Sequence, residues 1–418
     1  MQIRVQIGFK KRIRGNGRFF GFALVRNKND LNMSRSQKSE HSHIACYVTN
    51  HGFGHINRLV AVLNEIHSDS KITVRSDQEI WPVLRERLNR TIEFGYFPSD
   101  NGTASPPGQN SQTDWRGTFE RLENRFQLIL DAIPNEVNWL KQAGVTAVYA
   151  DSSPLPLIAA ETADIPAFLG ANFTWHEIYE DLLNAEPAHN FAKDDQIRYR
   201  QIIDQQKAAC RSATILKFWP HTPMPGVGKS SIDVGLVVNQ GHNVRNDILN
   251  QFQLPMETKL IYFYVGRYGV ESLPWEKLNQ FPENVRFVGL HPPGIELPGR
   301  FFCLNANEFS GADLLMSCDL AIVKAGYGAV AEAMVAGTPV IYPPRESFYE
   351  FHFLDCALRQ WSGGYPVTED DFTELNLWDV ASRALNNPVN PPNVASDGAT
   401  QVARILSESG TNSLNFNG

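Results

Sequence analysis

The chain has 418 residues, 42% of them hydrophobic, and a formal net charge of −7. This length suggests two domains with a large buried core, and the negative balance gives no global basic field, so we do not expect nucleic acid as the main partner. The five cysteines are scattered without a C-x-x-C pair, which argues against a disulfide framework and a zinc site and favours a reducing cytoplasm.

Residues 1–42 are predicted to form a basic and polar extension, either disordered or upstream of the true start. Residues 1–32 contain eight Lys or Arg and a single acid, Asp30. They lack the apolar run and cleavage site of a secretory signal, so we expect translation to start at Met33, while an Arg-rich transit peptide stays open. No run of about 18 apolar residues occurs in the chain, so no transmembrane segment is predicted; peripheral membrane contact stays open.

The core begins with a strand, a glycine turn and an amphipathic helix. Residues 43–49, "HIACYVT", have an apolar centre typical of a strand, and residues 55–68 carry apolar side chains at helical spacing. Between them, Gly52 and Gly54 permit unusual dihedrals and a close backbone approach, and the free N–H groups of the helix point at whatever lies above the turn. The carboxyl end of a first strand is where doubly wound sheets bind ligands. Spacing alone leaves a turn needed only for chain reversal equally open.

Two later strands of this half end in polar residues. The stretch "AVYAD" ends at Asp151, and "IPAFLGAN" ends near Asn172. Because the carboxyl ends of parallel strands lie at one edge of a sheet, we expect both side chains at the rim that holds the glycine turn. A helix cap is the alternative for Asp151.

A proline-rich segment, "WPHTPMPG" at 219–226, is typical of an interdomain linker. We therefore predict an N-terminal Rossmann-like domain at 43–225 and a C-terminal Rossmann-like domain at 226–410. Both are predicted to be doubly wound parallel sheets, because short apolar strands alternate with helical patterns throughout.

The second half repeats the pattern of strand and glycine turn. A strand runs into Gly266, and "KAGYGAVAEAMVAG" places Gly326 and Gly328 before a helix. Such a turn leaves room for a diphosphate at a helix N-terminus, whose dipole favours negative charge. Glu332, within that helix, is placed to accept hydrogen bonds from both hydroxyls of a ribose. A first-turn Glu that only complements the helix dipole is the alternative.

Three stretches together resemble a known group of proteins: "TNHGFGHINR" (49–58), "GANFTWHEIYEDL" (170–182) and "VKAGYGAVAEAMVAGTPVIYPPRESFYEFHFL" (323–354). They resemble the glycosyltransferase-like module at the amino end of L-arabinokinases and, more distantly, GT-B nucleotide-sugar glycosyltransferases such as the bacterial lipid-linked N-acetylglucosaminyltransferase of peptidoglycan synthesis. The resemblance covers roughly 44–385. It implies a GT-B fold, with two Rossmann-like domains facing across a cleft, the first holding the acceptor and the second the nucleotide-sugar donor.

The resemblance and the two glycine turns together define candidate binding residues. On the donor side they are Gly52, Gly54, Gly266, Arg267, Gly326, Tyr327, Gly328, Glu332, Arg345, Glu350 and His352. On the acceptor side they are Asn172 and Trp175. A surface position without a role is the alternative for Arg267.

The reaction implied is the transfer of a sugar, preferably from a UDP-sugar, to an unknown acceptor hydroxyl. An inverting transfer needs a base for the attacking hydroxyl and positive groups or helix N-termini for the departing diphosphate. Histidine titrates near neutral pH and suits the first task, so His55 is the first choice of base, His51 the second, and Asp151 the residue that orients it. GT-B enzymes commonly work without a metal, and we expect neither a metal nor a cofactor.

The pattern departs from the resemblance in two places. The turn "YVGRYG" is bulkier than expected, and the 418 residues contain no kinase module and no "GLSSS"-type phosphate loop, so arabinokinase activity is not expected. Two other functions stay open: a non-hydrolysing sugar-nucleotide epimerase and a non-catalytic sugar-nucleotide-binding protein. The identities of the sugar, nucleotide and acceptor are not encoded in any motif we recognise.

Overall fold

The computed structural model describes residues 42–411 with the exception of 101, 107–112, 265–272, 291–295 and 346. Within these residues the chain forms two β-sheets in which all neighbouring strands run parallel, with helices between the strands. The predicted doubly wound α/β fold is therefore confirmed. The predicted extension, apart from Ser42, lies outside the described residues, as do Gly266 and Arg267.

The first sheet has, in the described part of the chain, the strand order β3-β2-β1-β4-β5-β6-β7. Strands β1 and β4 are buried along their whole length, as expected for parallel strands that are covered on both faces. The strands are β1 (His43–Val48), β2 (Lys71–Ser76), β3 (Glu93–Tyr96), β4 (Ala147–Asp151), β5 (Ala167–Ala171), β6 (Thr214–Phe218) and β7 (Ser230–Val234).

The second sheet has the order β10-β9-β8-β11-β12-β13 across the residues that are described. Its central strand is entirely apolar, "LAIV", and fully buried. The strands are β8 (Lys259–Tyr264), β9 (Val285–Gly289), β10 (Phe301–Cys303), β11 (Leu320–Val323), β12 (Val340–Tyr342) and β13 (Gly364–Pro366).

Helices connect the strands and cover both sheets. They are α1 (Phe53–Glu65), α2 (Trp81–Arg87), α3 (Trp115–Gln142), α4 (Pro156–Ala163), α5 (Trp175–Asn184), α6 (Lys193–Ala209), α7 (Arg245–Gln251), α8 (Gly311–Ser317), α9 (Tyr327–Ala336), α10 (Glu350–Trp361), α11 (Glu369–Thr373), α12 (Trp378–Asn386) and α13 (Gly398–Thr411). Short 3-10 helices lie at Gln78–Ile80, Glu186–Asn190 and Trp275–Gln280.

Each sheet has a point where its strand order reverses. In the first sheet this point lies between β1 and β4, and Val48 pairs with Asp151 at the carboxyl ends of both strands. In the second sheet it lies between β8 and β11, where Tyr264 pairs with Val323. Sheets of this type bind ligands beyond the strand ends at the reversal point. The glycine turns that follow β1 and β11 therefore lie at the expected ligand-binding edges.

The proline-rich segment at 219–226 lies inside the first domain. It connects β6 to β7, and β7 pairs with β6 in the first sheet. The predicted boundary at residue 225 therefore falls before the last strand of that sheet, and the chain leaves the sheet only after Val234. The strand was missed because "SSIDV" is an edge strand with exposed polar side chains, which gives no apolar signal.

The chain returns to the first domain at its end. Helix α13 packs against α1, β1, β4 and β7, although the sequence placed it in the second domain. The segments that cross between the domains, on either side of Leu236 and Ala395, contact each other. Leu236 N–H donates to the carbonyl of Ala395 at 2.8 Å, and Gly398 N–H donates to the carbonyl of Leu236 at 3.1 Å. A Cβ at Gly235 would lie 2.2 Å from the Ala395 oxygen, so the approach requires glycine.

We expect Leu406→Ala to lower the free energy of unfolding by about 2 to 5 kcal/mol, because Leu406 on α13 is fully buried in the core beside α1. Arg404→Ala, at an exposed position of the same helix, is the matched control and should change it by less than about 0.5 kcal/mol. Chemical denaturation measures both. Equal unfolding midpoints for the two variants would contradict the packing of α13 on the first domain.

Candidate functional site

The glycine turn after β1 is open toward solvent. Gly52 has φ +74 and precedes α1 without a side-chain cap, so its conformation favours glycine. A Cβ at Gly52 or at Gly54 would meet nothing within 4 Å. The turn therefore leaves its backbone and the N-terminus of α1 accessible from solvent.

His55 lies in the first turn of α1 and points inward, with 7% of its surface exposed. Its Nδ1 atom lies 3.0 Å from Oδ1 of Asp151, the fully buried last residue of β4. Nη2 of Arg58, on the same helix, also lies 2.9 Å from Nδ1, but its two hydrogens are taken by Oδ1 of Asp151 and Oγ of Ser152. These contacts assign the His55 proton to Nδ1, where it faces Asp151, and leave the lone pair on Nε2. Asp151 does not cap α4, whose N-cap is Leu155, so the alternative considered for Asp151 is excluded.

Arg58, one turn further along α1, holds the same carboxylate. Its Nε donates to Oδ2 of Asp151 at 2.8 Å and its Nη2 donates to Oδ1 at 2.5 Å. Burial disfavours the charged form of Asp151, but the charge and hydrogen bonds of Arg58, with a smaller contribution from His55, outweigh it and hold the pKa of Asp151 below its ordinary value. Burial likewise opposes the charge of Arg58, yet Asp151 raises the pKa of that guanidinium.

Sequence reasoning missed Arg58, although one signal was present. It lies three residues after His55, so both side chains share one face of the helix. That face continues into the buried residues Leu59 and Val62. A charged side chain beside a buried face is a candidate for a buried ion pair.

Two aromatic rings enclose the guanidinium of Arg58. Its Cζ lies 5.1 Å from the ring centre of Phe218 at the end of β6 and 5.2 Å from that of Tyr327 at the start of α9. The hydroxyl of Tyr327 accepts a hydrogen bond from the N–H of Val237 at 3.0 Å. Tyr327, which was predicted on the donor side, thus belongs to the second glycine turn and has its ring against Arg58 of the first domain.

Asn172 and Glu350 extend the cluster into the second domain. Nη1 of Arg58 donates to Oδ1 of Asn172 at 2.6 Å, and Nδ2 of Asn172 donates to Oε1 of Glu350 at 2.6 Å. Asn172 follows β5, whereas Glu350 begins α10 beyond β12. Five polar side chains from both domains therefore form one connected chain: His55, Asp151, Arg58, Asn172 and Glu350.

His51 and Trp175 form a wall beside His55. Their rings are edge to face with centres 5.0 Å apart, and the rings of His55 and Trp175 are 6.2 Å apart. Trp175 is fully buried, and its indole N–H has no hydrogen-bond partner within the described residues. A Cβ at Gly102 would lie 2.4 Å from both rings, so this glycine lets the loop before α3 pack against the wall.

Asp100 is a second buried carboxylate near the turn, and no sequence signal singled it out. Its side chain accepts hydrogen bonds from the hydroxyls of Thr49 and Ser153, and its carbonyl accepts from the N–H of Asn50 at 2.9 Å. Burial raises the pKa of Asp100 despite these bonds and the nearby His55. Burial thus raises the pKa of Asp100, whereas Arg58 keeps that of Asp151 low.

The second glycine turn precedes α9 and is also open. A Cβ at Gly326 or Gly328 would meet nothing within 4 Å. Nη1 of Arg345 donates to the carbonyl of Ala325 at 3.1 Å, which holds this cation beside the turn. Burial, with a smaller contribution from Arg345, lowers the pKa of Lys324 to about 7. Lys324 precedes the turn directly and was not singled out from the sequence.

Glu332 lies in the second turn of α9, so the alternative of a first-turn dipole residue does not apply. Burial raises its pKa to about 8, and Asp313 adds to this effect while Arg87 opposes it. His352 is exposed on α10, and no hydrogen bond within the described residues joins it to the cluster. Across those residues, no group of three His, Cys, Asp or Glu side chains is placed to hold a metal ion.

The chain is similar to one plant enzyme in sequence. An L-arabinokinase of Arabidopsis thaliana is 25% identical over 369 residues, which cover 85% of this chain and 33% of the relative. The chain thus spans about a third of that relative's length. No protein-family model matches the chain.

Solved structures of glycosyltransferases share the fold. The calicheamicin glycosyltransferase CalG4 is 14% identical with a TM-score of 0.56, over 89% of this chain and 96% of that one. A UDP-glucosyltransferase of Polygonum tinctorium, solved in a complex, is 14% identical with a TM-score of 0.55, over 91% and 96%. The glycosyltransferase VinC in complex with dTDP is 12% identical with a TM-score of 0.54, over 88% and 95%.

These likenesses confirm the predicted GT-B fold and the resemblance to L-arabinokinases. At such identities the solved structures show the fold alone. None of the helices in the described part of the chain is long and apolar enough to cross a membrane.

We expect Arg58→Met to lower the free energy of unfolding by about 3 to 5 kcal/mol at pH 7, because it leaves the buried Asp151 without its cation. The lowered pKa of Asp151 stabilises the parent above the ordinary value of 3.8, and this stabilisation is lost as the pH falls through the lowered pKa. The difference in unfolding free energy between parent and variant should therefore be full at neutral pH and shrink as the pH falls below the ordinary value of 3.8.

Arg200→Met is the control for that prediction, because Arg200 pairs with Glu180 at the surface with 39% of its side chain exposed. It should change the free energy of unfolding by less than about 1 kcal/mol. Denaturant titrations at several pH values compare the two variants. A loss for Arg58→Met that is no larger than the control, or that is independent of pH, would contradict the buried ion pair.

Proposed function

We propose that the chain transfers a sugar from a nucleotide-diphosphate sugar to an acceptor hydroxyl, by an inverting, metal-independent mechanism. The observation that carries the proposal is the His55–Asp151 pair, at 3.0 Å, beside two open glycine turns that begin helices at the reversal points of two parallel sheets. This arrangement combines a base with two helix N-termini suited to anions.

His55 is proposed as the base. Asp151 accepts a hydrogen bond from the Nδ1–H of His55. Nε2 is therefore the atom that takes the proton from the acceptor hydroxyl. The acceptor oxygen then forms a bond to the anomeric carbon while the bond from that carbon to the diphosphate oxygen breaks. The diphosphate leaves with the electron pair, and the configuration at the carbon inverts. Asp151 stabilises the resulting imidazolium without taking the proton itself.

The departing diphosphate requires positive groups, which surround the second glycine turn. The N-terminus of α9 carries the positive end of the helix dipole. Arg345 is held beside this turn by the carbonyl of Ala325. Lys324 precedes the turn, and a nearby diphosphate would raise its pKa again from about 7 and favour its charged form. We infer that these groups stabilise the charge that develops on the diphosphate.

The glycines themselves support a ligand at both turns. Gly54 and Gly328 are each the second residue of a helix, and glycine has a lower helix propensity than alanine, so it costs some helix stability there. Among the described residues nothing within 4 Å of either position would exclude a Cβ. Packing within the protein therefore does not explain why glycine stands there despite its lower helix stability. A ligand that approaches the backbone closely does explain it.

Glu332 and the His51–Trp175 wall complete the proposed site. We assign Glu332 to the ribose hydroxyls of the donor, and the wall to the acceptor. Asn172 borders the wall, but its amide is engaged by Arg58 and Glu350. Gly52, Gly54 and His352 remain proposed donor contacts.

The comparisons support a nucleotide-sugar donor. One structural neighbour is a UDP-glucosyltransferase and another is in complex with dTDP, and we propose a UDP-sugar as the preferred donor. The kinase activity of the arabinokinase relative is not proposed, because the chain spans about a third of that protein. We place the reaction in a reducing cytoplasm, in keeping with the scattered cysteines.

If Glu332 holds the ribose as a carboxylate, nucleotide binding must ionise a group whose pKa is raised to about 8. Affinity for UDP should therefore rise as the pH increases from 7 to 8, with release of a proton on binding. Calorimetry in buffers of different ionisation enthalpy measures that proton. Glu332→Gln should abolish the release and weaken UDP binding by about 1 to 3 kcal/mol. Unchanged affinity and proton release in the variant would remove Glu332 from the site.

If His55 is the base, His55→Ala should lower kcat by roughly 10²- to 10⁴-fold with little change in donor affinity. Gly54→Val should weaken donor binding as well, because it places a side chain where the ligand approaches. Turnover assays with a panel of nucleotide sugars and calorimetry measure the two effects, after circular dichroism has shown that the variants fold. His51→Ala is the matched comparison. Parental turnover in folded His55→Ala would overturn the base assignment, and parental turnover in both histidine variants would leave the turn without a catalytic role.

A further inference from the structure

Glu350 in the second domain is connected by hydrogen bonds to the base in the first. Its Oε1 accepts from Nδ2 of Asn172 at 2.6 Å, and Oδ1 of Asn172 accepts from Nη1 of Arg58 at 2.6 Å. Arg58 in turn holds both oxygens of Asp151, which binds Nδ1 of His55. Asn172 is 1% exposed and Glu350 is 5% exposed, so water competes little for these bonds.

The two neighbours of Asn172 determine which way its amide points. The carbonyl oxygen faces the guanidinium of Arg58, and the NH₂ group faces the carboxylate of Glu350. A flipped amide would place a donor against the cation and an acceptor against the anion, with no hydrogen bond on either side. The position of Glu350 therefore fixes the orientation of the Asn172 amide, and this amide in turn holds Arg58. Asn172 itself is neutral, so the connection adds no charge.

The segment that carries Glu350 is seated on the first domain by a second contact. Phe348, which is 5% exposed, packs edge to face against Phe173, with ring centres 5.8 Å apart. Phe173 is the residue after Asn172, and its ring lies 5.7 Å from that of His55. Docking of residues 348–350 thus supports the amide and the base from two sides.

We propose that Glu350 and Asn172 are positioning residues through which the second domain orients His55. With residues 348–350 docked, Arg58 is held at Nη1 by Asn172 and keeps Asp151 in place to accept the Nδ1 proton of His55. Without that docking, Arg58 loses one of its anchors and the Asp151–His55 geometry loosens. The base is therefore fully oriented only when the donor-binding domain is docked on the first. This inference rests on the proposed function for the role of His55, whereas the orientation itself is measurable without any reaction.

A charge exchange tests the connection. Asn172→Asp places a carboxylate against that of Glu350, and two such groups at hydrogen-bond distance cannot both stay ionised without separating. Glu350→Gln alone keeps a neutral hydrogen bond to Asn172. In the double variant Asn172→Asp/Glu350→Gln, the new amide NH₂ group at position 350 donates to the new carboxylate at position 172, which still accepts from Arg58. The chain of hydrogen bonds is thereby restored, and its negative charge has moved from position 350 to position 172.

The first readout is the Nδ1–H resonance of His55 in ¹⁵N NMR spectra of the full chain at pH 8. We expect a slowly exchanging resonance in the parent, in Glu350→Gln and in the double variant, and its loss in Asn172→Asp. The control is Asn239→Ala, which removes a different hydrogen bond between the domains, from Nδ2 of Asn239 to the carbonyl of Asn57 at 2.9 Å. It should leave the resonance unchanged. A resonance that persists in Asn172→Asp, or that is lost equally in Asn239→Ala, would overturn the proposal.

The second readout is turnover. Asn172→Asp should lower kcat by about 10- to 100-fold, the range for loss of a hydrogen bond to a charged group, with KM for the donor changed by less than about threefold. The double variant should recover to within about threefold of the parent. An Asn172→Asp loss that the double variant does not rescue would show a structural role only. If no turnover is found in any variant, the proposed function fails while the NMR result still decides the positioning.

Discussion

The buried ion pair between Arg58 and Asp151 is the interaction on which the site depends. A carboxylate at the end of a fully covered parallel strand is taken out of water, and such a group stays ionised only with a cation and hydrogen bonds at close range. Arg58 supplies both from α1, and its own burial is compensated by Asp151, Asn172 and two flanking rings. This ties together α1 and β4, which carry the pair, and β6, α9 and the residue after β5, which carry the groups that contact it.

This pair also sets what Asp151 can do for His55. A carboxylate that is shared with a guanidinium contributes less negative charge to a neighbouring imidazole than an unpaired one does. In the proposed mechanism Asp151 therefore chiefly selects the tautomer and holds the ring of His55, and it stabilises the imidazolium less than an unpaired carboxylate would. The chemistry then depends on orientation and on the charges around the second glycine turn. In the proposed mechanism, the base lies in one domain and most of the positive charge for the leaving group lies in the other.

The fold could be predicted from the sequence because its signals are local. The strand "AVYAD" was located to the residue, and the glycine turns followed from their position between strand and helix. His55 and Asp151 were predicted to be partners because each lies at a strand end of the same rim. Arg58 was missed because it lies inside α1 and not at a strand end, although it shares one face of that helix with His55 and contacts the same carboxylate. Edge strand β7 was missed because exposed polar strands resemble loops, and Asp100 because its loop carries no periodic signal.

The paired crossings near Leu236 and Ala395 bear on how the two domains move. A single connection would allow the two domains to bend and twist against each other in every direction. Two connections that hydrogen-bond to each other at 2.8 and 3.1 Å form a hinge instead. Such a hinge restricts twisting of one domain against the other and leaves rotation about a single axis. Residues 348–350 reach the first domain through separate contacts, to Asn172 and Phe173. Opening for substrate exchange would therefore follow an arc about this axis, and each closure would bring Glu350 back to the same amide.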